Sequence, residues 1–371
     1  MARGLAIVTA AATLVLILFG GLVTNTGAAL AVPDWPTTFG YNMFLYPWSE
    51  MIGGIFYEHS HRLIGSVVGL LTLALAAALW RRGSTLRVLG VVAALAVVVQ
   101  GLLGGMRVVL RQDVLAILHG CLAQAFFALL AVIVLLTSAR TRAPLARIEP
   151  STRNLALGAA AVAYVQIVLG ALVTHAGIVD HHLVGAFAVF VIVPMLTARV
   201  RRSGDAVAAP LASVLLALLG VQLALGVGTY LARFSSMWIP GGQATMLALP
   251  VAHRLVAALI LAATAVLAVR VNATAGSNRE SELESSRRLE PLGARNRIGA
   301  SNRINKLDQI GNTNAAATYP SLSPTNRVDL REFDTTSRRE PSLNPIGTTN
   351  AAATYPSLSP TVRAGLRGSV K

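Results

Sequence analysis

Eight apolar runs dominate this chain, at roughly 5–25, 60–80, 86–108, 114–137, 154–174, 182–198, 207–231 and 249–269. About 18 apolar residues suffice for a helix to cross the hydrocarbon of a bilayer. Inside hydrocarbon a backbone satisfies its own polar groups only as a helix or a closed barrel. The runs therefore predict an all-α, polytopic membrane protein with eight transmembrane helices. Composition agrees, because 54% of the 371 residues are hydrophobic and only 13% are charged, whereas a soluble domain carries about 25% charged residues. That excludes an ordinary cytosolic enzyme. The formal charge of +15 would suit nucleic acid, but its distribution does not: residues 1–270 hold 17 Arg, no Lys and seven acidic residues. Most of those Arg lie in short loops between apolar runs, where they orient a membrane protein. Membrane lipid is thus a partner and nucleic acid is not. Cys121 is the sole cysteine, which excludes an internal disulfide and a cysteine-based metal site.

With the N-terminus in the cytoplasm, eleven Arg fall in cytoplasmic loops, including Arg3, Arg81, Arg82 and Arg87, against five on the other side: Arg62, Arg107, Arg111, Arg233 and Arg254. This asymmetry places both termini in the cytoplasm of a plasma (inner) membrane protein. Met-Ala-Arg-Gly ahead of an apolar run also fits a signal peptide, but the internal repeat described next favours a retained first span. Residues 271–371 differ in kind, being rich in Ser, Asn, Arg, Pro and Thr. They contain IGNTNAAATYPSLSPT (310–325) and IGTTNAAATYPSLSPT (346–361), 36 residues apart. Two copies without a face to bury do not make a solenoid, so this cytoplasmic tail is expected to be disordered.

The membrane part repeats itself. FGGLVTNTG (19–27) closes span 1 and LGALVTHAG (169–177) closes span 5. HRLIGS from His61 opens span 2, and HHLVGA from His181 opens span 6. VVQGLLGG around Gln100 in span 3 corresponds to GVQLALGV around Gln222 in span 7, and His119 in span 4 corresponds to HRLVAA from His253 in span 8. Four spans is an even number, so the halves share one orientation and form two parallel-repeat four-helix bundles. The expected domains are 1–148, 149–270 and the tail 271–371.

All seven histidines lie in the membrane part. Every even-numbered span carries one near its start, so four imidazoles stand at similar depth near the outer face, two per bundle. A four-helix bundle can hold a planar cofactor in its core, and a haem iron accepts imidazole at both axial positions. The expected iron-ligand pairs are His61 with His119 and His181 with His253, with His182 as the substitute for His181. Zinc would want three or four converging ligands, which pairs in separate bundles do not provide. His175 aligns with Asn25 and is expected in a loop. His59, two residues from His61, faces away from it on a helix.

Glu58 lies three residues before His61, on the same helix face. The 120-residue offset that pairs His61 with His181 puts Ile178 in the equivalent place, and Asp180 matches Ser60. The acid is therefore confined to one half. An ionisable side chain in a membrane bundle is a functional candidate by default, although Glu58 could simply cap its helix or pair with Arg62. Arg62 and Arg254 each follow a histidine and are candidates to pair with haem propionates or to snorkel to the interface.

Glu58-x-x-His61-Arg62 resembles the motif of the haem A synthase family. GGLVTNTGAALAVPDWP (20–36), GGIFYEHSHR (53–62) and VVQGLLGG (98–105) are similar to segments of the same family. The resemblance covers about residues 5–270. It implies oxidation of a methyl substituent of haem O to the formyl group of haem A, by successive hydroxylations and loss of water, for terminal oxidase assembly. It further implies that the first bundle binds substrate haem O through His61 and His119, with Glu58 assisting as the catalytic group. The second bundle would hold a permanent haem b through His181 and His253. The partners implied are haem O, an electron donor, and the haem O synthase or oxidase subunits. One departure is visible: many members carry an outer-loop cysteine pair, whereas 25–57 has none. A b-type cytochrome that only transfers electrons would need the histidine pairs but not Glu58. A parallel-repeat transporter would need no haem, and a purely structural assembly partner would leave the pigment pool unchanged.

Overall fold

The computed structural model describes residues 1–142, 148–236 and 240–273. Eight helices long and apolar enough to cross a membrane account for most of them. They are α1 (Ala2–Asn25), α2 (Gly53–Leu79), α3 (Ser84–Leu110), α4 (Asp113–Leu136), α5 (Pro150–Ala176), α6 (Val179–Arg202), α7 (Ala208–Phe234) and α8 (Gly242–Ala273). The protein is thus an all-α, polytopic membrane protein. Among the described residues the only β pairing is an isolated bridge between Thr38 and Tyr41. The helices outrun the apolar runs where polar side chains find partners. α2 begins at Gly53 rather than near 60, because Glu58 and His59 are buried against the preceding loop. The tail and its repeat, from residue 274 onward, lie outside the described residues.

Local chemistry explains the helix ends. Pro150 opens α5, where a missing amide costs nothing. Gly177, at φ +71, closes it in the left-handed conformation, with its N–H donating to the Val173 carbonyl. Hydroxyls that would be stranded in lipid bond back along their own helices: Thr13 to the Thr9 carbonyl at 2.8 Å and Thr72 to the Val68 carbonyl at 2.7 Å.

α1 to α4 pack in a ring around a core that includes Ala6, Val68, Leu75, Leu79, Leu130 and Ile133. α5 to α8 enclose a second core around Val193, Leu196, Leu215 and Leu267. Lipid tails are as apolar as these side chains, so helix association depends on close packing of small residues rather than on exclusion of water. Ala156, Ala159 and Ala163 are buried on α5, and Gly21 on α1 leaves room for Val251 of α8. Ile17, Phe127, Ala258 and Ala262 bind the two bundles together through α1, α4 and α8. Two-residue links after α3 and α5 make tight antiparallel hairpins. As a result, the starts of the even helices and the ends of the odd helices lie at one end of the molecule.

Candidate functional site

Four imidazoles meet in two pairs at that end. The rings of His61 on α2 and His119 on α4 have centroids 6.3 Å apart and planes at 76°. Those of His182 on α6 and His253 on α8 are also 6.3 Å apart, at 68°. A metal–imidazole bond is about 2 Å long and the ring centre lies roughly another ångström beyond, so two rings on one ion stand about 6 Å apart. The spacing therefore fits a single ion between each pair. Among the described residues no group of three or more His, Cys, Asp or Glu could hold a metal ion. Each pair could hold the iron of a porphyrin, which would bring the remaining ligands itself.

A glycine on the neighbouring helix makes room for each ring. A Cβ on Gly20 would stand 3.2 Å from Cε1 of His61, on Gly104 3.3 Å from His119, on Gly170 3.2 Å from His182 and on Gly226 3.1 Å from His253. Each hairpin thus couples a glycine near the end of its odd helix to a histidine near the start of its even helix. One turn before three of these glycines stands a glutamine. Gln100 Nε2 donates to the His119 backbone carbonyl at 3.2 Å, and His119 Nδ1 faces the Gln100 carbonyl at 3.2 Å. Gln166 Nε2 lies 3.1 Å from His182 Nδ1 and donates to the His182 carbonyl at 2.9 Å. Gln222 Nε2 lies 3.2 Å from His253 Nε2. At the fourth position stands Leu16.

The structure corrects the expected pairing in the second bundle. His181 is exposed and the substitute, His182, faces His253. The reason is register: Gly170 offers its open surface to His182, and consecutive helix residues are about 100° apart. The repeat offset becomes 121 residues, so Val179 rather than Ile178 corresponds to Glu58, and Asp180 corresponds to His59. The acid remains confined to the first bundle. His175 lies in the last turn of α5 rather than in a loop, 3.8 Å from Asp113.

Glu58 and Arg62 pair with each other and with the loop ahead of α2. Glu58 is 5% exposed. Its carboxylate accepts the Val32 amide at 3.0 Å and Arg62 Nη2 at 2.9 Å. Arg62 also donates to the carbonyls of Asp34 at 2.7 Å, Val32 at 3.0 Å and Thr37 at 3.1 Å. Its guanidinium is thereby largely committed to the loop rather than free for a propionate. His59, buried, lies with Nδ1 3.2 Å from Thr38 Oγ1 and its ring 5.1 Å from that of Tyr46. Asp34 braces the turn by accepting the amides of Phe39 and Gly40 and the Thr37 hydroxyl. Slight burial pushes its carboxyl up, but the bonds from Gly40, Thr37 and Phe39 outweigh this and hold it below the usual carboxylate range. The Trp35 indole lies against Gly105, next to the glycine under His119, so the loop reaches α3 beside the first histidine pair. Arg254, half-buried, makes no hydrogen bond or ion pair among the described residues.

The histidine pairing and the first-bundle loop were only partly visible to sequence reasoning. The glycines and Gln166 carry a signal that could have been read: Q-x-x-x-G recurs in spans 3, 5 and 7. The carbonyls of Val32, Asp34 and Thr37 carry none, because backbone is common to every residue.

Fold and site together define a polytopic membrane protein with two imidazole pairs, each spaced for one metal ion. Residues 41–181 match the family model described as cytochrome oxidase assembly protein. Similar curated relatives are "Heme A synthase" of Shouchella clausii, 33% identical over 187 residues covering 47% of this chain and 59% of that protein, and "Heme A synthase" of Halalkalibacterium halodurans, 31% identical over 178 residues covering 45% and 57%. That of Alkalihalophilus pseudofirmus is 34% identical over 137 residues, 35% and 43% of the two chains. Over these residues the chain is similar to the haem A synthases. Its matches span less than two thirds of the length of these relatives.

Proposed function

We propose that this protein is an oxidoreductase that converts a methyl substituent of haem O to the formyl group of haem A. The first bundle takes the substrate and the second holds a permanent haem b, with the histidine end toward the outer face of the plasma membrane. The observation that carries this reading is the contrast between the bundles. Both have an imidazole pair 6.3 Å apart over glycine, but among the described residues only the first has a carboxylate on the helix face of its histidine, held there by the loop before α2.

His61 and His119 hold the iron of haem O, and His182 and His253 hold that of haem b. Iron porphyrin, when bound, supplies the redox chemistry of the site. Glu58, one turn before His61, is placed to take up or return a proton and to offset positive charge at the oxidised carbon. Its salt bridge to Arg62 and its bond from the Val32 amide fix it in place. Trp35 seats the loop on α3 at Gly105, beside the pair. Arg254, with no hydrogen bond or ion pair among the described residues, is the better propionate ligand of the two arginines, because Arg62 already serves the loop.

The test is expression of the full chain with haem O, followed by absorption spectroscopy, pigment extraction and mass analysis. Low-spin haem and a product carrying the formyl group are expected. Glu58→Ala should retain haem while losing at least about 100-fold in product formation, the scale of a removed proton-transfer group. A colourless protein would overturn the reading. Bound haem with no product from the unaltered chain would leave an electron-transfer cytochrome.

A further inference from the structure

The four histidines differ in one respect. Three have a glutamine beside them and one does not. Gln100, Gln166 and Gln222 each lie four residues before the glycine that receives the ring, so amide and glycine share one helix face. Their Nε2 atoms all contact the paired histidine, its ring or its backbone carbonyl. Their Oε1 atoms are all buried without a hydrogen-bond partner. An unpartnered buried acceptor is costly and calls for a donor. A neutral imidazole bound to metal through one nitrogen exposes an N–H on the other and needs an acceptor there. The Gln222 amide lies against the His253 ring through Nε2 of each, while Gln222 Oε1 and His253 Nδ1 are both buried and unpartnered.

His61 is the exception. Its Nδ1 is buried without a hydrogen bond, and the residue four before Gly20 is Leu16, which offers no side-chain acceptor. The Leu16 carbonyl approaches the ring without reaching hydrogen-bond geometry.

We infer that Gln100, Gln166 and Gln222 are positioning residues that anchor three of the four axial imidazoles, and that Leu16 leaves His61 as the releasable ligand through which the first-bundle haem exchanges. This rests on the two-haem reading above and deepens it, because a substrate haem must leave and a resident one must stay. An acceptor on the ring N–H makes imidazole a stronger donor to iron and favours the ferric state. His61 therefore lets go first, in the bundle that carries Glu58.

The test uses the full-length, haem-loaded protein and follows haem transfer to apomyoglobin together with the midpoint potential of each haem. Transfer should be biphasic, the fast phase being the one lost in His61→Ala. Leu16→Gln should slow the fast phase about tenfold and lower the first haem's potential, whereas Leu16→Ala should do neither. Gln222→Leu should speed the slow phase about tenfold and raise the second haem's potential, whereas Gln100→Leu, which keeps the backbone carbonyl facing His119 Nδ1, should have a smaller effect on the fast phase. The glutamine variants remain decisive if Leu16→Gln does not fold. Equal effects of Leu16→Gln and Leu16→Ala, or unchanged rate and potential in Gln222→Leu, would overturn the inference while leaving two haems in place. Protein with no haem to transfer would overturn the two-haem reading itself.

Discussion

The two bundles place their buried ion pairs at opposite ends. In the first, Glu58 and Arg62 meet at the histidine end and reach into the loop before α2. In the second, Asp205 and Arg270 meet 2.9 Å apart at the far end, where Asp205 also accepts the first amides of α7, at Val207 and Ala208. Both pairs are nearly shut off from solvent, so each holds its surroundings firmly. The difference shows which end of each bundle is committed. The first bundle has spent its charged residues on shaping the approach to its imidazoles. The second has spent them on closing the opposite end, and a two-residue turn, Gly177 and Ile178, is all that joins α5 to α6 beside His182.

Removing a ligand should break the symmetry most completely. His61→Ala or His119→Ala is expected to abolish first-bundle haem and leave the second, and His182→Ala or His253→Ala the reverse, by pyridine haemochrome quantification. His181→Ala should keep both, and loss of second-bundle haem in that variant would return the ligand role to His181. Next in size come the ion pairs. Arg62→Ala and Arg270→Ala each remove the guanidinium from a buried carboxylate, which costs up to about 3–5 kcal/mol. Thermal unfolding should register both, while limited proteolysis within 26–52 should increase only for Arg62→Ala. Equal sensitivity of that loop in the two variants would mean that the first pair does not shape it.

Smaller effects follow from the glycines. Gly104→Ala forces the His119 ring to shift by a few tenths of an ångström, at about 1–3 kcal/mol, and should alter the spectrum of the first haem. Gly101→Ala meets open space and should not. The smallest effect concerns pH. Because the folded Asp34 carboxyl lies below its unfolded value, its contribution is complete above the unfolded pKa and fades as pH falls through the folded one. Amide exchange at Phe39 and Gly40 should be faster in Asp34→Asn near neutrality, and the gap should close on strong acidification.

Much of this fold was legible because hydrocarbon imposes one rule on every residue: an apolar run of sufficient length has to be a helix. The four-fold recurrence of histidine in even helices was legible for the same reason, since polar residues are conspicuous in such runs. The choice between His181 and His182 was not legible from the histidines alone. It depends on which of two adjacent residues faces Gly170, and a one-residue register error rotates a helix face by about 100°. The duties of Arg62 were hidden as well. The chain order placed it beside a histidine, but its partners are carbonyls that any sequence would supply.

Each imidazole rests on a glycine of its own hairpin, so α1 with α2, and α3 with α4, form two separate half-sites before they meet. Any molecule that bonds to His61 and His119 together becomes a clasp between independently inserted pieces. Such a clasp adds its binding free energy to their cohesion, which makes loading and assembly one thermodynamic event in each bundle.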